Sequence, residues 1–223
     1  MEDQENNFDK EEFKQETSDA VNQFKDTMKD MNFKNETANA TNFVKDMVKD
    51  PISKTGEIAK DEENKYLKTA MFMLLVWVTV RILRAILSLS KYGTFGRNVL
   101  IVLKSALSPI CIVLSLTFIV FILNKKHKKP LLSIFSTVTT AYVPMIIASI
   151  INLLNLIDSS MYKITNAVGM LATFLTVILS FFAFKDIFEE ETELASLKKF
   201  VLVELIYVGV AIVISFLGIS MYI

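Results

Sequence analysis

The run from Leu131 to Ile157, LLSIFSTVTTAYVPMIIASIINLLNLI, holds 27 residues without a single charge. Crossing the hydrocarbon core of a bilayer takes about 20 apolar residues of helix. Backbone groups in lipid must be paired inside the segment or in a closed barrel, and the run lacks the two-residue alternation of a barrel strand. It therefore reads as a membrane helix. Lys125, Lys126, His127, Lys128 and Lys129 stand directly before it, followed by Pro130. Lysine-rich flanks mark the cytoplasmic end of a span. Lys125, Lys126, Lys128 and Lys129 are accordingly read as a topology anchor, able also to meet acidic lipid headgroups.

Four further apolar stretches bring the expected spans to five: about 69–88, 105–124, 131–157, 162–184 and 200–222. The first is weakened by Arg81 and Arg84, and the second is open to extension by 98–104. An N-terminus on the cytoplasmic side puts twelve Lys and Arg near the inner ends of the spans and six near the outer ends. The expected orientation is thus N-terminus cytoplasmic and C-terminus outside, in the cell membrane. The acidic start MEDQENNFDKEE lacks the basic head and apolar core of a signal peptide.

Charge divides the chain. Residues 1–68 carry 17 of the 24 acidic and 11 of the 24 basic side chains, whereas 69–223 are basic and mostly apolar. This reads as an acidic cytoplasmic tail, 1–60, on a membrane domain, 61–223; the sign of the tail excludes a nucleic-acid arm. The tail is duplicated. EEFKQETSDAVNQFKDTMKD (11–30) aligns without a gap on MNFKNETANATNFVKDMVKD (31–50), with ten identities. Phe13, Val21 or Ala20, Phe24, Met28 and Met31 form a thin apolar stripe in the first copy, and Phe33, Ala40, Val44 and Val48 in the second. The stripe breaks near Asn32, which predicts two amphipathic helices rather than one coiled coil. Pro51 should end the second, with 52–60 as a linker and Asp61 as a cap for the first span.

Small and polar residues recur at helical spacing in the later spans: Ser133, Thr137, Thr140, Pro144, Ala148, Asn152 and Asn155 in the third, then Asn166, Gly169, Thr173, Thr176, Ser180 and Ala183 in the fourth. Lipid gives helices no hydrophobic reason to associate, so such seams mark either close packing or a polar path. Packing is the simpler reading, because hydroxyls can bond back to their own helix. Glu204 is the one acid inside an expected span, and an ionisable group there is a functional candidate. It lies about 7 Å past Lys199 along a helix, within reach of the interface. Arg81 lies deeper; it and Arg84 are expected to snorkel to the outer surface. In the loop 185–199, Ile187, Phe188, Leu194 and Leu197 can form a small apolar face, either a partner surface or a plain connector.

With one histidine and one cysteine (Cys111), the chain has no internal disulfide and no Cys/His metal site, and no catalytic signature is present. An enzyme is not expected, nor any cofactor.

The third span, with Tyr142-Val-Pro144 leading into MIIASIINLL, resembles the Tyr-x-x-Pro helix of the Yip1 family, and Leu179 to Ile187 with the following polar loop is similar to that family's fourth-to-fifth connection. The tail's FVKDMVKDP resembles that of Yip1-like proteins from clostridia and related Gram-positive bacteria. Such relatives often begin with a zinc ribbon; this chain lacks the cysteine pair, and also the Asp-Leu-Tyr-Gly-Pro motif of eukaryotic members. The resemblance implies five spans, a cytoplasmic tail and an outside C-terminus.

The combined expectation is an all-α polytopic membrane bundle of five transmembrane helices with a cytoplasmic helical tail. Its expected role is a scaffold or adaptor whose tail and cytoplasmic loops gather protein partners on the bilayer, with self-association into a homo-oligomer left open. The alternatives are a small transporter or channel subunit using Ser133, Thr137, Thr140, Tyr142, Asn152, Asn166, Gly169, Thr173 and Glu204, and an envelope stress sensor.

Overall fold

The computed structural model describes residues 10–61, 63–89, 95–124, 129–190 and 192–219, and among these it is helical with no strand. Lys125, Lys126 and Lys128, three of the four expected anchor residues, lie outside the described residues, as does His127.

Three helices build the N-terminal part: α1 (Lys10–Lys29), α2 (Phe33–Lys49) and α3 (Pro51–Ala59). Asn32 separates the first two, its side chain accepting from the Lys34 and Asn35 amides at 3.1 and 3.3 Å. The expected linker is instead α3. Asp50 accepts from the Ser53 amide at 3.1 Å, and Pro51 occupies the first turn, where its missing N–H costs nothing. Thr55, Gly56, Ile58 and Ala59 of α3 are buried.

The remaining helices are α4 (Leu67–Leu89), α5 (Phe95–Leu123), α6 (Leu131–Ala141), α7 (Val143–Ile151), α8 (Leu154–Ile157), α9 (Tyr162–Phe188) and α10 (Glu193–Ser215), with a 3-10 turn at Ser159–Met161. Three of them, α4, α5 and the turn-plus-α9 segment Ser159–Phe188, are long and apolar enough to cross a membrane. The segments Leu131–Ala141 and Val143–Ile157 make a fourth if counted together, bent by 42°. Five spans are expected from the sequence; the described helices supply three, or four with the bent pair counted as one. The third span is broken rather than continuous. The helix at the fifth expected span, α10, is not among those long and apolar enough to cross by themselves; it carries Lys198, Lys199 and Glu204.

Every residue of α6 is buried, and α1, α3, α4, α5 and α9 all pack around it. Large apolar side chains lie exposed on α4, α5, α9 and α10, among them Ile86, Leu103, Phe174 and Leu205. A belt of that size is what a lipid-facing surface presents.

The tail helices share the core of the bundle. Phe24 meets Phe135 edge-on with ring centroids 5.6 Å apart, Phe13 lies 5.8 Å from Phe121, and Phe43 lies 6.2 Å from Tyr66. In α2 the inward face is Glu36, Ala40, Phe43 and Met47, while Phe33 and Val48 point outward. The stripe expected through Phe33, Ala40, Val44 and Val48 is therefore rotated. Phe43 and Met47 bury more apolar area than Val44 and Val48 would, and the helix turns to seat them.

Candidate functional site

The break in the third span follows from Pro144. Proline has no N–H for the carbonyl four residues back, here Thr140, and its ring crowds that carbonyl. Tyr142 leaves helical geometry at φ −89°, ψ 3°, and the chain restarts as α7. Freed backbone groups at such a depth need cover by protein. Tyr142 is buried, with its ring 5.7 Å from that of Trp77 on α4. Trp77 Nε1 also donates to Ser149 Oγ at 3.1 Å, about two turns past Tyr142, so this α4 side chain holds both the break and the helix that follows it. This side-chain bond escapes sequence reasoning, since the partners stand 72 positions apart.

The hydroxyl seam entering the break turns back on its own helix. Ser136, Thr137, Thr139 and Thr140 donate to the carbonyls of Leu132, Ser133, Phe135 and Ser136 at 2.8–2.9 Å. Ser133, Thr137 and Thr140 are thus buried, and the Thr137 and Thr140 hydroxyls are occupied by their own helix. Asn152 and Asn155 beyond the break are half-buried and pair with each other at 3.4 Å.

The seam of α9 divides in two. Asn166 is exposed, and a side chain at Gly169 would meet nothing, so the first half faces outward. Thr173 donates to the Gly169 carbonyl at 3.0 Å and reaches Met145 Sδ at 3.7 Å, and from there Thr176, Ser180 and Ala183 are buried. Glu204 on α10 is half-buried, within electrostatic reach of Tyr142.

At the opposite end of the bundle the charged groups knit tail to membrane helices. Lys129 is buried and pairs with Glu189 at 3.0 Å, so it serves the fold rather than acting as a free lipid anchor. Glu189 ends α9 in the left-handed region, φ 48°. Lys199 lies 5.4 Å over the Phe188 ring and 4.0 Å from Glu190. The apolar face expected in this loop is split: Ile187 and Phe188 enter the core, and Leu194 and Leu197 stay exposed. Lys54 Nζ donates to Glu57 Oε2 at 2.7 Å and to Tyr66 Oη at 3.0 Å, while Tyr66 donates to the other Glu57 oxygen. The Lys54 hydrogen bond, then that of Tyr66, holds the Glu57 carboxyl below its usual range.

Arg81 does not snorkel as expected. It is half-buried and turned toward α5, its Nη2 3.5 Å from Ser108 Oγ.

Two apolar cavities lie beneath the tail. One, of about 450 Å³, is bounded by α1, α4, α5 and α6, with Phe24, Leu74, Leu114 and Phe135 in its wall. The other, of about 340 Å³, runs between Met47 and Pro51 on the tail side and Pro144, Ile147 and Leu175 on the other. No group of three or more His, Cys, Asp or Glu side chains among the described residues is placed to hold a metal.

No family model, no curated protein and no solved structure matches the chain.

Proposed function

We propose that this protein is a non-catalytic integral membrane scaffold of the Yip1-like type, with its N-terminal helices on the cytoplasmic side and α10 as a fifth span ending outside. The observation that carries the reading is the docking of the duplicated unit. Its apolar face is spent on the bundle at Ala20, Phe24, Ala40, Phe43 and Met47, and its charged face, with Asp19, Lys25, Lys45 and Asp46, is left exposed. A charged surface held in fixed register with the membrane suits recruitment of soluble partners more than transport does. The cavities beneath it are apolar, and the third-span hydroxyls are occupied.

The test is photo-crosslinking in cells from Asp19 and Lys45, with Phe24 and Phe43 as inward-facing controls. The outward positions should capture a common set of proteins, and charge reversal of that face should abolish capture while membrane insertion is unchanged. Equal capture from inward and outward positions, or none from either, would sink the reading.

A small transporter or channel subunit is the second reading. It draws support from the broken third span near Glu204, an arrangement that solute carriers use at their binding sites. Solute flux in liposomes that is abolished by Glu204→Gln would decide for it.

A further inference from the structure

Arg81 is the feature that the scaffold reading leaves unused. It sits on α4 about 12 Å along the helix from its end at Leu89, at the end of the bundle remote from the tail. A cavity of about 210 Å³ opens beside it, lined by Arg81, Ile101, Lys104, Ser105, Ser108 and Gly218. Three segments supply these residues. Arg81 comes from α4, the next four from α5, and Gly218 from the turn after α10, where φ of +72° bends the chain against Lys104. A side chain at Gly218 would crowd the mobile Lys104 Nζ, and the positive φ favours glycine here.

The charge in this pocket is one-sided. Arg84 follows Arg81 by about one turn outside the pocket wall, and its charge adds to the repulsion Arg81 feels. Among the described residues none of Arg81, Arg84 and Lys104 forms an ion pair with a carboxylate. Ser108 is buried and Ser105 half-buried. Leu83, Ile86, Leu100, Leu103, Phe216 and Leu217 lie exposed on the same segments, so apolar surface rather than counter-charge surrounds the site. Leaving cations at such depth without an opposite charge is costly. A planar guanidinium fork, a mobile ammonium and two hydroxyls are together the donor set that suits a tetrahedral oxyanion.

We propose that the pocket of Arg81, Lys104, Ser105 and Ser108 binds a phosphate group, either the headgroup phosphate of a phospholipid or a free phosphate monoester or inorganic phosphate. The guanidinium of Arg81 takes two of the oxygens, Lys104 adds its charge from the α10 side, and the serines donate to the rest. The exposed leucines and Phe216 beside the opening would run along acyl chains if the phosphate belongs to a lipid. The site is independent of the tail and of the scaffold reading.

The test uses the full chain, purified in detergent and washed free of lipid. Its thermal midpoint is followed against three additives: inorganic phosphate, a short-chain phosphatidylglycerol, and the diacylglycerol of the same chains without phosphate. A saturable rise with a phosphate-bearing additive is expected, and none with the diacylglycerol. A rise with phosphatidylglycerol alone identifies a lipid headgroup, and a comparable rise with inorganic phosphate identifies the free anion. Arg81→Gln combined with Lys104→Gln should abolish the rise, and exposed Arg97→Gln should leave it intact. Arg81→Lys keeps the charge but loses the fork, and should weaken binding at least threefold; it serves if the double variant does not fold. No rise with either phosphate-bearing additive, an equal rise with the diacylglycerol, or a response that survives the pocket substitutions overturns the proposal.

Discussion

Glu16 Oε1 accepts the backbone N–H of Leu131 at 3.2 Å, across 115 residues of sequence. Leu131 opens α6, whose preceding residue, Pro130, has no side-chain group for capping. The first turn of the most buried helix is thus capped by a carboxylate from the tail, where the helix dipole favours negative charge. Glu16→Ala should cost about 1 kcal/mol, the usual worth of a lost N-cap. Amide exchange should rise at Leu131 to Ser133, and proteolysis should rise in α1. Unchanged protection at both places would mean that α1 does not depend on this contact.

Trp77 reports on the break in the third span. It is the only tryptophan, so its fluorescence is unambiguous. Trp77→Phe removes the donor to Ser149, whose hydroxyl keeps its own bond to the Met145 carbonyl at 2.7 Å. The loss should be about 1 kcal/mol, against about 3–5 for Trp77→Ala, which also opens a cavity. Thermal unfolding of the purified variants gives the order. In the wild type, emission should resist aqueous quenchers, since the indole is buried.

The pair Lys129–Glu189 joins a buried ammonium to a half-exposed carboxylate. Glu189→Gln takes this carboxylate away from the buried ammonium and should destabilise by roughly 1–2 kcal/mol, after discounting for the exposure of Glu189. Lys129→Met removes the buried charge itself and should cost less. The reverse order in chemical denaturation would show that the charge at 129 serves another group.

Acid should loosen the joint between α3 and α4. The hydrogen bonds of Lys54 and Tyr66 depress the folded pKa of Glu57 below the ordinary carboxylate value of 4.5. A depressed carboxyl contributes stability above its unfolded pKa and loses it as pH falls through the folded value. Midpoints measured from pH 6 down to pH 3 should therefore decline below about pH 4.5, and the decline should be shallower in Glu57→Gln. Burial lowers the Lys54 pKa, but its bonds to Glu57 and Tyr66 outweigh this and leave it raised above 10.5. The Lys54 contribution is thus fully present over this range and does not blur the result.

Gly56 sets how closely α3 approaches α9. A Cβ there would stand 2.6 Å from Asp186 Oδ2. Gly56→Leu should cost about 1–3 kcal/mol through overpacking. Gly56→Ala should be milder and should be relieved by adding Asp186→Ala. A double variant no more stable than Gly56→Ala alone would show that the approach is limited by something other than this carboxylate.

Much of this architecture was legible in local sequence. Apolar runs announce α4, α5, α6 with α7, and α9; Asn32 announces the break between α1 and α2; and Pro144 carries the information for the bend, although hydropathy alone makes the run look continuous. What was not legible depended on residues far apart. The stretch 52–60 reads as a linker because it is short and contains Gly56, yet that glycine lets it pack as a helix on α9. Arg81 reads as a snorkelling residue because α4 alone offers it nothing, yet α5 supplies Ser108.

Period, charge and proline position therefore determined which segments are helical and which belong beside lipid, because backbone pairing and transfer from water act on each segment separately. Assembly decided the rest: which side of the duplicated unit faces inward, that the third-span hydroxyls are buried, and that Arg81 and Lys104 line one pocket. Those outcomes depend on the volumes and charges that neighbouring helices bring, and no single helix carries that information.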